Sequence, residues 1–276
     1  MNFNEYSYGV TKQFEILDEV DEKVLELKIN GYTTVNSEMT QEKINQLKQL
    51  LDECYERQAV EVGGHQALLN WGDANILRAA MSYESAFLDV AINQNLLRLV
   101  TRFMGKEFVL IMQNGLINRP GHGNEQGKFH RDLNYQHWTS SSPIAMNALL
   151  CLDDFTLENG ATWVTPGSHH LPELPSKAFL DNYSVQVTAK AGTFLVLDGM
   201  LFHKAGTNKT STERRALNHV IGLPFMSQVV DLPLAMKLNG IDIPKDPKLQ
   251  RYLGAQWRTF TSAKDWRLSK FKQVLN

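Results

Sequence analysis

The feature that most restricts the fold is a change of periodicity at Gly105. Before it, apolar residues recur at helical spacing; after it, short β-rich runs alternate with turn signals. Over 40–58, Ile44, Leu47, Leu50, Leu51, Cys54 and Tyr55 share one side of a helix, and Thr40 stands where an N-cap belongs. A second helical stretch is expected over 82–104, with Leu96, Leu97, Val100 and Phe103 on one side and Gly105 ending it. Strands are expected at 107–118, 144–152, 161–165, 184–188, 193–197 and 216–225. They are divided by Arg119-Pro120-Gly121, Glu158-Asn159-Gly160, Pro166-Gly167-Ser168, Ala191-Gly192 and Asp198-Gly199. Many short strands with no long helices between them favour a sandwich or jelly roll over an α/β sheet. No linker or repeat divides the chain. One unit of 276 residues is expected: a mostly helical front over 1–106, a β core over 107–225, and an extension over 226–276, carrying Trp257 and Trp266, that covers one end.

Charge and cysteine usage narrow the function. The formal net charge is −2 with no basic stripe, which argues against nucleic acid or an anionic membrane as the partner. No run approaches the roughly 18–20 apolar residues of a membrane span. The first residues are polar and acidic, unlike a secretory signal. Cys54 and Cys151 stand far apart and give no disulfide framework. A cytoplasmic protein acting on a small molecule, as monomer or homodimer, is expected.

Two segments carry metal-ligand chemistry. Phe129-His130-Arg131-Asp132 puts an imidazole and a carboxylate at i and i+2, on one face if the segment is a strand. A third ligand is expected from a distant strand, and His203 follows an apolar run and a turn. Two imidazoles and one carboxylate on one octahedral face leave three positions open, which suits iron(II) and oxygen chemistry. An H-x-D triplet alone is weak, since most are surface pairs; His65, His122, His137, His169, His170 and His219 have no comparable partners. Eleven residues after His203, beyond a turn-rich loop, stands Arg214. A strand antiparallel to that of His203 brings Arg214 beside the metal, where a guanidinium can bind a small dicarboxylate. The competing reading is that Arg214 and Arg215 are a solvated pair at a strand start.

Taken together, Leu116-Ile117-Asn118-Arg119-Pro120, His130-Arg131-Asp132-Leu133, Glu158-Asn159-Gly160, Val164-Thr165-Pro166-Gly167-Ser168-His169, His203 and Arg214 resemble the phytanoyl-CoA dioxygenase family of iron(II)/2-oxoglutarate oxygenases. The likeness spans about 108–223 and leaves the tail unmatched. It implies a mainly β fold, a double-stranded β-helix (a cupin-like jelly-roll barrel) with N-terminal α-helices as buttress. It implies iron(II) on His130, Asp132 and His203, with 2-oxoglutarate and dioxygen as co-substrates, and Arg214, Asn118 and Asn114 holding the 2-oxoglutarate. Relatives often carry a serine two residues after the distal histidine; here that position is Ala205, and Thr207 is the substitute hydroxyl. Halogenating relatives lack the carboxylate, so Asp132 favours hydroxylation, with desaturation, epimerisation or ring formation open on the same scaffold. Arg131, Tyr135, Trp138 and Trp163 flank the motifs as candidates for the substrate pocket, against a packing role for each. The alternatives are a non-catalytic binding protein on the same scaffold and a cupin-type metal protein that uses no 2-oxoglutarate.

Overall fold

The computed structural model describes residues 9, 12–121, 127–133, 136–256 and 259–274. Helix α1 (Glu19–Asn30) leads into strand β1 (Tyr32–Asn36), then α2 (Gln41–Glu61), α3 (His65–Trp71), β2 (Ile76–Arg78), α4 (Ser85–Ala91) and α5 (Gln94–Met104). Thr40 caps α2 as its sequence requires, Oγ1 accepting from the Lys43 N–H at 3.2 Å. Ile44, Leu47, Leu51, Cys54 and Tyr55 form the buried face of α2. The helix expected over 82–104 is instead two. The break falls at Ile92-Asn93, because the Asn93 side chain accepts from the Leu96 N–H at 3.1 Å and so starts a new helix. Gly105 ends α5 at φ +90°, its N–H donating to Thr101 O.

The β region runs β3 (Val109–Asn118), β4 (Ala145–Cys151), β5 (Thr162–Val164), α6 (Lys177–Tyr183), β6 (Val185–Val187), β7 (Thr193–Asp198), β8 (His203–Lys204) and β9 (Arg214–Gly222). Each strand predicted from sequence is present to within a few residues. Six strands form one antiparallel sheet in the order β1-β7-β4-β9-β3-β2, and three form a second, β6-β5-β8. Among the described residues this is a jelly-roll pair of sheets without closure into a barrel. The front is not purely helical: β1 and β2 are the outer strands of the larger sheet.

Period-two alternation gives the larger sheet two different faces. Ala148, Leu150, Phe194, Val196, Leu217 and Ile221 point to the helices and share one core with Leu47, Leu51, Phe87, Leu96 and Val100. Fully burying each large member contributes about 1.5–3 kcal/mol. Residues of opposite parity face the smaller sheet, where Val164 packs on Leu195, Leu197 and Leu201. The C-terminal helices α7 (Leu232–Leu238) and α8 (Pro247–Tyr252) join the helix-side core through Leu232, Met236 and Tyr252. Helix α9 (Ala263–Val274) follows, with Trp266 half exposed; Trp257 lies outside the described residues. No helix of the described residues is long and apolar enough to cross a membrane.

Candidate metal and co-substrate site

His130 and His203 meet through an isolated antiparallel bridge, each backbone N–H donating to the other's carbonyl at 3.0 and 3.1 Å. Past the bridge the chain bends, so His130 and Asp132 do not sit on one regular strand as the i, i+2 spacing suggested. The bend still returns Asp132 to both imidazoles: its Oδ1 is 3.3 Å from His130 Nε2 and 3.4 Å from His203 Nε2. One ligand atom of each residue lies within 4.8 Å of the others. The tautomers follow from the backbone. His130 Nδ1 is 2.8 Å from Lys128 O and His203 Nδ1 is 3.0 Å from Leu201 O, so each Nδ1–H donates to a carbonyl and Nε2 is the ring nitrogen turned towards Asp132. Burial alone opposes ionisation of Asp132, but the His203 and His130 imidazoles outweigh it and hold the carboxyl well below its ordinary range. This donor set fits a divalent cation.

Arg214 reaches the same cavity by a different route from the one the sequence suggested. β8 pairs with β5 in the smaller sheet, whereas β9 lies between β4 and β3 in the larger one. Arg214 therefore faces His203 across the space between the sheets, not along a shared ladder. Its side chain is buried over the Phe155 ring, Cζ 4.1 Å from the centroid, and Nε and Nη1 have no hydrogen-bond partner. Burial pushes its pKa down to about 10. A buried guanidinium with free N–H groups fits a carboxylate. Arg215, of opposite parity, is spent on Asp52 at 2.7 Å and Glu213 at 2.5 Å. His130, Asp132, His203 and Arg214 line one cavity with Leu116, Asn147, Leu149, Thr162, Leu197, Ala205 and Asn218.

Residues 27–216 match the model of the phytanoyl-CoA dioxygenase (PhyH) family. The chain belongs to the phytanoyl-CoA dioxygenase family. It is 28% identical over 255 residues to an uncharacterized protein of Mycobacterium tuberculosis, covering 91% of each. Over 147 residues it is 31% identical to a protein of Penicillium thymicola named an iron/alpha-ketoglutarate-dependent dioxygenase, covering 49% of this chain and 43% of that one. Among solved structures it is similar to the alpha ketoglutarate dependent epimerase SnoN from nogalamycin biosynthesis. The TM-score is 0.56 at 18% identity, over 74% of this chain and 83% of that one. A second SnoN structure is a complex with Fe3+, alpha ketoglutarate and nogalamycin RO.

Within this phytanoyl-CoA dioxygenase family member the remaining expected site residues divide. Asn118 is buried beside Arg214, but its amide donates to Gly206 O at 3.0 Å and to Asn159 O at 3.4 Å, and so ties two loops to the end of β3. Gly160 explains that closeness: at φ +80° a Cβ there collides with the Gly206 carbonyl. Asn114 faces Asn218 across β3 and β9 but lines a neighbouring, mostly apolar cleft with Arg78, Met112, Val229 and Val230. Thr207 is exposed and absent from the cavity wall, which Ala205 supplies.

Arg131 serves packing. It is buried against Phe202, 3.9 Å from the ring centroid, and donates to the carbonyls of Met200, Gln136, Trp138, Ser168 and Leu171. Trp163 has opposite parity to Thr162, so it turns away from the cavity, 5.9 Å from Lys204 Nζ. Trp138 is half exposed and outside the cavity lining; Tyr135 lies outside the described residues. Sequence reasoning missed Asn147 and Asn218. Both were detectable: Asn147 interrupts the apolar run of β4, and Asn218 shares the face of Arg214 four residues on.

Proposed function

We propose that this protein is a non-haem iron(II) oxygenase that consumes 2-oxoglutarate and dioxygen. In this reading it hydroxylates an unactivated C–H bond of a small metabolite or natural-product intermediate. The observation that carries the reading is one cavity holding both the His130–Asp132–His203 cluster and the buried, unpaired Arg214 guanidinium. The name of the Penicillium relative supports it.

His130 and His203 hold iron through Nε2, fixed by their carbonyl-bound Nδ1–H groups, and Asp132 supplies the negative charge. Arg214 takes the far carboxylate of 2-oxoglutarate through two N–H groups. When bound, iron(II) would activate dioxygen, the oxidant, one oxygen atom entering succinate as 2-oxoglutarate loses carbon dioxide and the other entering the substrate. Leu116, Leu149 and Leu197 give the cavity an apolar lining that limits water around the reacting bond. Asp132 fills the position that halogenating relatives leave to chloride, which favours oxygen transfer.

The test is succinate formation. Protein loaded anaerobically with iron(II) and 2-oxoglutarate, then exposed to oxygen, is expected to release succinate slowly without substrate and faster with one. Iron-loaded protein that forms no succinate under either condition contradicts the reading. Mass analysis of the product separates hydroxylation, a gain of one oxygen, from epimerisation, which leaves the mass unchanged.

A further inference from the structure

The wall that β4 gives to the cavity is apolar except at Asn147. This residue is buried between Met146 and Ala148, and its cross-strand partners are Leu197 and Val220. An amide in such a position is unfavourable unless its groups are used, and its Oδ1 has no hydrogen-bond partner. Its Nδ2 donates to Asp132 Oδ2. The other carboxylate oxygen, Oδ1, lies 3.3 and 3.4 Å from the two histidine Nε2 atoms. The two oxygens of Asp132 are thus divided between the strand wall and the imidazole cluster. β4 is hydrogen-bonded on both sides, by β7 and β9, so the amide is presented from a rigid strand.

We propose that Asn147 is a positioning residue that engages Oδ2 of Asp132, so that the carboxylate meets the metal through Oδ1 alone. The inference rests on the iron reading above. Its consequence is a matter of coordination number. Three protein atoms on one face of an octahedron leave three positions. A chelating 2-oxo acid would take two of them, and one would remain for dioxygen. A carboxylate free to chelate through both oxygens would occupy that last position. Asn147 therefore governs how many positions stay open, as well as how tightly the metal is held.

The test uses the full chain with Co(II), whose visible bands report coordination number. Asn147→Ala is expected to weaken Co(II) binding about 10–100-fold, the usual effect of removing a group that orients a ligand. Its visible spectrum is expected to differ from that of the wild type. Asn147→Leu, which keeps the side-chain bulk, is expected to do the same, so a packing defect in the alanine variant does not decide the result. In an Asp132→Ala background, Asn147→Ala is expected to change Co(II) affinity by no more than about twofold, since the coupled partner is gone. Wild-type affinity and spectrum in both Asn147 variants overturn the assignment. An equal loss in the Asp132→Ala background overturns it too. Wild-type protein that binds no Co(II) sinks the metal reading itself, which distinguishes the two failures.

Discussion

Replacing Arg214 by methionine should move two properties in opposite directions. The guanidinium is buried, and Nε and Nη1 are unpaired. Burial lowers its pKa from 12.5 to about 10, which at about 1.4 kcal/mol per unit is a cost of roughly 3 kcal/mol. That cost is in full force at neutral pH, because the folded pKa is the lower one and relief begins only as pH rises through 10. Arg214→Met removes the charge but also the contact with Phe155, worth about 1–2 kcal/mol where desolvated. A net gain of about 1–2 kcal/mol remains, or an increase in melting temperature of roughly 2–6 °C without 2-oxoglutarate. In the proposed role the same change would remove two charge-assisted hydrogen bonds to the co-substrate, each worth about 1.5–3 kcal/mol. The KM for 2-oxoglutarate should rise by roughly 10²–10⁴-fold. Melting curves with and without 2-oxoglutarate, with KM from succinate release, measure both. A variant that is less stable alone, or keeps its KM within about threefold, refutes the role given to Arg214.

Other changes test the frame around the cavity. Gly160→Ala puts a Cβ onto the Gly206 carbonyl at φ +80°, so a loss of about 2–4 kcal/mol is expected in denaturant unfolding, and one under about 0.5 kcal/mol contradicts the close approach. Arg131→Lys cannot serve five carbonyls, so its melting temperature should fall while the KM for 2-oxoglutarate in the folded fraction stays unchanged; a changed KM with normal stability restores a pocket role. Burial holds the His169 and His219 pKa values near 4, below 6.5, so each contributes stability that is lost as pH falls from 6.5 towards 4, about 3 kcal/mol for the fully buried His219 and less for His169, which solvent screens. Asp198, raised by burial to about 6, acts oppositely between 6 and 3.8 and offsets about 3 kcal/mol. Thermal stability of the metal-free protein should fall between pH 7 and 4.5, and a flat profile contradicts this balance.

The strands were legible because Gly and Pro punctuate short apolar runs, and the Thr40 cap acts through its own next turn. What escaped is non-local. β1 pairs with β7 some 160 residues later in the chain, and nothing in Tyr32–Asn36 announces that partner. The break at Asn93 lay inside a continuous apolar pattern, where a capping side chain overruled periodicity. In the site, spacing named His130, Asp132, His203 and Arg214, because chemistry restricts those residue types. It did not place Arg214 in the opposite sheet, nor foresee that Asn118 would be taken by a backbone carbonyl. Competition for a hydrogen bond depends on depth and neighbours, and those exist only after folding.

The central claim is that one cavity holds iron and 2-oxoglutarate together. Anaerobic titration of the iron(II)-loaded protein with 2-oxoglutarate tests it most directly, through the weak visible charge-transfer band of a chelated 2-oxo acid. Wild type is predicted to give a saturable band at one equivalent of iron. Asp132→Ala should give none at that iron concentration, and Arg214→Met should give the band only at far higher 2-oxoglutarate. A wild-type protein that binds iron(II) but shows no band, or an Asp132→Ala variant that shows the same one, contradicts the account.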